Sequence, residues 1–414
     1  MSYNILFIHQ HFPGQFKHIG PALAKDNNVH SLSMFDYSVE GVQNHKWAPR
    51  RGNGDNVHPL ALEFETKVLR AEGCADKARE LKNDGFTPDL VVGHTGWGEL
   101  LYIKEVWPET KLLSYVEFHY NLINSDIDFD LEEQEGMDTT FLRRKLIGRN
   151  AVFFSQYENS DYLFSPTNFQ KSTFPEHWQK KISVIHEGIN TDRFVPKPEA
   201  KFSITVDDLQ KTIELSKESK VVLFVNRNLE PYRGYHIFMR SLEHIFKQHP
   251  DAYIIIVGGD ETSYGKKPPK GKKWRKIFYD EVKDKIDSSR VIFTGYLPDH
   301  NALTSLMQVS TVQVYLTYPF VLSWSLLESL SCGLTVIASN TGPVSEVITD
   351  KKEGLLVDFF DHKGIAERVN KVLNDPGKFS YLGENARDKM IKEYDLDKVC
   401  LPKTLKFIKE ILEE

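Results

Sequence analysis

Short apolar runs alternate with helical stretches along nearly the whole chain, and this alternation restricts the fold more than any other feature. Runs read as strands are Ile5–His9, Val29–Met34, Leu90–Gly93, Leu112–Val116, Ala151–Ser155 and Ser183–His186 in the first half. The second half adds Val221–Asn226, Tyr253–Gly258, Val291–Thr294, Val312–Leu316 and Thr335–Ala338. Helical periodicity falls between them, as at Leu60–Leu81, Tyr235–Gln248 and Ile365–Leu373. Strand–helix alternation predicts parallel sheets covered on both faces by helices. Eleven strands are many for one open sheet, so the expected fold class is α/β with two doubly wound domains. The break falls in the aperiodic, proline-bearing Glu187–Ala200 and separates residues 1–196 from 197–396. Further on, Ser380–Tyr394 reads as a helix. Leu401, Leu405, Ile408 and Leu412 keep helical spacing within Asp397–Glu414, with Pro402 near its start. That last helix either returns to complete the first domain or caps its own.

A chain of 414 residues with 40% apolar composition can bury such cores without staples. Lys+Arg 52 against Asp+Glu 58 gives a net charge of −6, so no overall basic character argues for nucleic acid. Cys74, Cys332 and Cys400 are widely spaced and fit neither a disulfide framework nor a zinc site, which suggests a reducing compartment. The start, MSYNILFIHQ, runs straight into a strand with no basic leader. No apolar run reaches the roughly 18 residues of a membrane span. A cytoplasmic location is expected.

Chemistry concentrates in the second half. The strand Val312–Leu316 leads through the proline-bearing loop Tyr318–Ser323 into a helix, Trp324–Ser331, closed by Gly333. Such a turn points free backbone N–H groups and the positive helix end beyond the strand, where parallel α/β sheets hold phosphorylated ligands. Glu328, one turn inside, suits a pair of sugar hydroxyls better than a phosphate. The other reading is an ordinary turn whose Glu points to solvent. In VNRNLEPYRGYH, Arg227 leaves the end of a strand and Arg233 precedes Gly234 at a helix start. Two guanidinium groups at one crevice can clamp a diphosphate and offset charge on a departing phosphate.

Together these features resemble the retaining glycosyltransferases of family 4, with two Rossmann-like domains in the GT-B arrangement facing a cleft. The resemblance spans nearly the whole chain. It rests on Arg227 with a basic residue at 233, on ESLSCG (Glu328–Gly333), and on TGPVSEVI with EGLLVD between Thr341 and Asp358. VIHEGINTDRF (Val184–Phe194) adds to it, and HQHFPGQFKHIGPAL (from His9) sits at the family's N-terminal glycine loop. It implies that Arg227 and Arg233 hold the donor diphosphate and that Glu328 meets the donor ribose. Backbone at Leu322, Ser323, Trp324 and Ser325 would meet the phosphates. GYLP, with Gly295, Tyr296 and Leu297, would read the base. The family's first motif Glu is Phe320 here, so recognition of the transferred sugar must differ or fall to a neighbour. A family histidine follows a strand near the end of Tyr115–Tyr120. His119, the nearest imidazole, is the preferred candidate, with Glu117 kept beside it because strict register could place that residue there instead.

Other segments carry two readings each. Gly14 after Pro13 could allow close backbone approach to donor phosphate or acceptor, with Gln15 donating a hydrogen bond; a plain turn is the alternative. Gly258, at a strand end, could let the backbone approach the donor. His9 and His11 lack the carboxylate or cysteine partners of a metal site, and Asp126, Asp128 and Asp130 lack the glycine of a calcium loop. No metal or other cofactor is expected. Trp97 in GHTGWGE is either a sugar-stacking platform or core. The basic run Lys266–Lys276 could attract an anionic acceptor or associate weakly with a membrane surface, or be a solvated loop. The expected activity is transfer of a sugar from a UDP- or GDP-sugar to an unknown glycan, lipid or protein acceptor, with retention and without metal. A sugar-nucleotide epimerase of the same fold and a non-catalytic nucleotide-sugar-binding partner are the alternatives. Oligomeric state is not legible.

Overall fold

Strand β1 (Asn4–Ile8) sets the pattern of the first sheet: Ile5 and Phe7 bury into one apolar layer and Leu6 and Ile8 into the opposite one. A strand buried on both faces reads as continuous hydrophobicity, and its sheet must be parallel and helix-covered. The computed structural model describes residues 2–206 and 211–414. In chain order follow β2 (Asn28–Ser33), β3 (Val42–Lys46), β4 (Leu90–His94), β5 (Lys111–Tyr115), β6 (Tyr162–Ser165) and β7 (Ile182–Val184). They form one seven-stranded parallel sheet in the order β3-β2-β1-β4-β5-β6-β7. Next come an antiparallel pair, β8 (Lys201–Val206) and β9 (Lys211–Ser216), and then β10 (Val221–Asn228) and β11 (Tyr253–Gly259). The last strands are β12 (Val291–Gly295), β13 (Val312–Tyr315), β14 (Thr335–Ser339) and β15 (Leu355–Val357). Their sheet runs β12-β11-β10-β13-β14-β15 and is also parallel. Each sheet reverses its winding once, between β1 and β4 and between β10 and β13. These are the switch points at which doubly wound sheets bind ligands.

The chain divides into two compact units, one of Met1–Glu187 with Asp397–Glu414 and the other of Gly188–Leu396. Residues 188–196, expected with the first domain, belong to the second unit. Ile189 and Phe194 are buried in its cores, which anchors the segment there. The helix Leu401–Glu413 belongs to the first unit. Its Ile408 and Ile411 are fully buried with Ile5, Phe7, Val92, Leu113 and Phe164. Burial of this kind contributes about 1.5–3 kcal/mol per side chain.

Three differences from the sequence reading have physical causes. Ala151–Ser155 is not a strand. It lies inside the helix Thr139–Asn159, because a short apolar run such as AVFF fits a buried helix face as well as a strand. The sheet continues instead with Tyr162–Ser165. Strands β3 and β15 escaped notice: VQNHK is a polar edge strand and LLV has only three residues. Among the described residues, no helix is long and apolar enough to cross a membrane.

Asp138 caps the helix Thr139–Asn159 by accepting the Phe141 N–H at 2.9 Å. Asp138→Ala should lower stability by about 1 kcal/mol, seen as a shift of the urea midpoint at unchanged slope. An unmoved midpoint would show that the cap is replaced by water.

Candidate active site

In the second unit the carboxyl ends of β10 and β13 lie at the switch point. Arg227 stands exposed at the end of β10, with no ion-pair partner among the described residues. Arg233 differs: it is 6% exposed, and its Nη1 donates to Thr317 Oγ1 at 2.7 Å and to the Val321 carbonyl at 2.8 Å. The two arginines therefore have distinct settings. One is unengaged, while the other ties the turn Pro231–Arg233 to the loop after β13. Gly234, at φ +70°, makes this turn possible, since a Cβ there would lie 2.3 Å from the Leu316 Cβ.

The loop beyond β13 is packed by aromatic rings. Phe320 is 3% exposed and meets Tyr232 and Tyr264 with ring centroids 5.2 and 5.1 Å apart. The Arg233 guanidinium lies 5.1 Å from the Tyr264 ring centre and 5.9 Å from that of Phe320. Where the resemblance implies a carboxylate, the structure thus has a buried apolar wall. Ser323 caps the helix Trp324–Ser331: its Oγ accepts the Ser325 N–H, and its own N–H donates to Tyr315 Oη at 2.9 Å. Leu322 and Ser323 are half-buried, Trp324 is exposed and Ser325 is buried. Glu328 is half-buried one turn further in.

A residue the sequence reading missed organises the neighbouring loop. Glu230 is 1% exposed, and its carboxylate accepts the N–H groups of Ser263, Tyr264 and Gly265 at 3.1–3.3 Å. Burial raises its pKa, and those three donors act against the shift. Its signal was a lone Glu before a proline. Gly258, at the end of β11, packs against β10 so closely that a Cβ would fall 2.9 Å from the Asn226 carbonyl oxygen. Gly295 sits at φ +69° in open space, followed by exposed Tyr296 and half-buried Leu297. In the basic run, Lys273 and Arg275 both pair with Asp260 and Lys276 pairs with Asp280, so part of its charge is neutralised.

In the first unit the loop after β1 makes a hydrogen-bonded relay. His9 Nδ1 accepts the His11 N–H at 3.0 Å, so Nε2 carries the proton and donates to Gln15 Oε1 at 2.8 Å. Gln15 Nε2 then donates to Glu117 Oε1 at 3.1 Å. Burial holds the His9 imidazole down to about 4, which keeps it neutral. His94, at the end of β4, brings its Nε2 to 3.8 Å from Glu117 Oε2 and is also buried and neutral. His119 is not part of this cluster. It is 5% exposed, flanked by Phe154 and Phe174, and pushed down to about 4 by burial. Of the two candidates, the geometry brings Glu117 to the Gly14–Gln15 loop. His94 was missed because its link to Glu117 exists only across neighbouring strand ends. Trp97 is half-buried, with its ring 4.5 Å from His94 and 4.8 Å from His9.

Gly14 has φ +45°, and a Cβ there would lie 2.3 Å from the His9 ring. Gly14→Ala should therefore destabilise the chain by about 2 kcal/mol through strain and displacement of His9. A urea titration checks this, and wild-type stability would show that the loop adapts.

The fold and the matched sequence together define a glycosyltransferase of the GT-B class. Residues 23–194 match the model described as glycosyl transferase family 4 group, and residues 206–389 match glycosyl transferases group 1. The chain belongs to this family of glycosyltransferases. It is 28% identical over 254 residues to the GDP-mannose-dependent alpha-(1-6)-phosphatidylinositol monomannoside mannosyltransferase of Mycolicibacterium smegmatis, covering 60% of this chain and 59% of that protein. Sucrose-phosphate synthase from Thermosynechococcus elongatus shares the fold with a TM-score of 0.72 at 19% identity, covering 100% of both chains. Anabaena HepE in complex with UDP and glucose does so with a TM-score of 0.66 at 15% identity, covering 99% of this chain and 100% of that one.

Proposed function

We propose that this glycosyltransferase takes a UDP- or GDP-sugar as donor and transfers the sugar to an acceptor hydroxyl with retention of configuration. The observation that carries the reading is the switch point of the second sheet. There an unengaged Arg227, a serine-capped helix start and Glu328 follow adjacent strands. In this reading Arg227 takes the diphosphate, Arg233 shapes the loop that receives it, and Glu328 accepts from the ribose hydroxyls. The departing phosphate serves as the base for the incoming hydroxyl, so neither a protein nucleophile nor a metal is required. Gly258 and the segment Gly295–Leu297 offer backbone to the nucleotide. The reading supports a chain that works in the cytoplasm, where sugar nucleotides are made.

The test is incubation of the pure protein with a panel of sugar nucleotides while free nucleotide is measured. One donor should be hydrolysed slowly, and a suitable acceptor should quicken release and yield a product with the donor's anomeric configuration. A panel without any release would remove the reading. Phe320 in place of a motif carboxylate favours a second reading, a nucleotide-sugar-binding protein without turnover. That reading predicts saturable donor binding and no nucleotide.

A further inference from the structure

The first unit contains a cavity of about 430 Å³, within the roughly 300–1,000 Å³ range of small-molecule sites. Two helix faces build it. From Leu62–Asn83 come Glu63, Lys67 and Arg70, and from Thr139–Asn159 come Lys145, Arg149 and Phe153. Their spacings of three and four residues put each set on one side of its helix. A helix face turned inward normally carries apolar residues. Here four cations meet a single carboxylate, a formal excess of +3 in a chain whose net charge is −6.

The pairing inside the cavity leaves part of that excess unmet: behind the lining, Asp126 acts on Arg149, and Glu99, held protonated up to about 7 by burial, faces Arg70 and Lys67. Glu63 engages Arg149 at 2.7 and 3.0 Å and lies 3.5 Å from Lys67 Nζ. Arg70 and Lys145 have no ion-pair partner among the described residues. The Lys67 side chain is 6% exposed, and its ammonium lies 4.0 Å from the centre of the Phe153 ring. Arg149 lies 4.5 Å from that of Tyr120. Ring contacts of this kind hold cations in place without neutralising them. Burial brings the Lys67 pKa down to about 8, with Glu63 opposing the shift and Arg149 adding to it. One buried and three half-buried cations gathered this way call for an anion. Trp97, beside Gly96, completes the lining with a face suited to a sugar ring.

We propose that this cavity binds a phosphate monoester carried by the acceptor. A dianion offsets more of the +3 excess than a carboxylate does, and guanidinium groups match its oxygens in pairs. The cavity's taste for phosphate stands on its own geometry; the assignment of that phosphate to the acceptor rests on the transfer reading above.

The experiment is calorimetric titration of the full chain with glucose 6-phosphate and with glucose, repeated for the double variant Arg70→Gln/Lys145→Gln. Neither residue holds a described ion pair, so the variant should melt like the wild type before ligand is added; each single variant serves if the double one does not fold. Glucose 6-phosphate should bind at least tenfold more tightly than glucose, and the variant should lose at least tenfold of that affinity. Vesicles of phosphatidic acid, set against phosphatidylcholine, identify the source. Variant-sensitive retention on the former marks a lipid headgroup; glucose 6-phosphate binding without retention marks a soluble sugar phosphate. Equal affinity for glucose and glucose 6-phosphate together with no vesicle retention, or an undiminished variant, would overturn the site. The sugar-nucleotide panel separates the two claims. Variant-sensitive phosphate binding with no nucleotide release from any donor would leave the anion site and remove its acceptor role.

Discussion

Arg227→Ala is expected to lower the turnover number of sugar transfer by about a hundredfold, a loss on the order of 3 kcal/mol of transition-state stabilisation. The expectation follows from contrast with Arg233. That residue is buried and hydrogen-bonded to the loop after β13, so its removal would disturb both fold and chemistry. Arg227 is exposed at the end of β10 and engages no described carboxylate. Its loss should change stability by no more than about 0.5 kcal/mol. If Arg227 takes the donor diphosphate, as proposed above, charge there grows as the glycosidic bond breaks, and the guanidinium matters more in the transition state than in the ground state. The defect should appear in kcat, with Arg227→Lys restoring part of it. Unchanged turnover would place the diphosphate elsewhere.

The second large effect concerns Glu99, in the turn after β4. The residue is fully buried, and its carboxylate oxygens meet no donor from any other described residue. Burial pushes its pKa up to about 7, opposed by the charges of Arg70 and Lys67. Below the ordinary value of about 4.5 the group is protonated in both folded and unfolded chains and contributes no pH dependence. Between that value and about 7 only the folded chain keeps the proton, so stability falls as pH rises. Above about 7 both forms are ionised and the loss levels off. At about 1.4 kcal/mol per unit, the full loss is on the order of 3 kcal/mol. Glu99→Gln removes it, so the variant should be the more stable protein at pH 8 and should match the wild type at pH 4. Urea titrations at the two pH values decide the matter, and parallel pH profiles would show that Glu99 is ionised throughout.

Much of this fold was legible because its central strands are buried on both faces. Val221–Asn226 and Tyr253–Gly258 are unbroken apolar runs bounded by turn residues, and the sheet contains both. What escaped was weak by the same physics. Strand β3 is an edge strand with little apolar content, and AVFF satisfies either period. The switch-point residues could be read from sequence, since Arg227, Gly234 and Ser323 lie at strand or helix ends that local patterns mark. Contacts made across the fold could not. The relay from His9 through Gln15 to Glu117, and the meeting of Lys67 with Arg149 over one carboxylate, join segments far apart in the chain. Position 119 drew notice because an imidazole was sought there, yet the backbone turns its neighbour Glu117 toward the glycine loop.

The first unit is discontinuous, and this has a consequence for how the protein is made. Ile408 and Ile411 cover a sheet face whose strands are all synthesised before Gly188. The 209 residues from Gly188 to Leu396 emerge in between. At the usual speed of translation that interval lasts roughly 10–40 s, during which Ile5, Phe7 and Leu113 await their cover. A chain ending just short of Leu401 would hold a complete second unit and a first whose hydrophobic side is still open to chaperones.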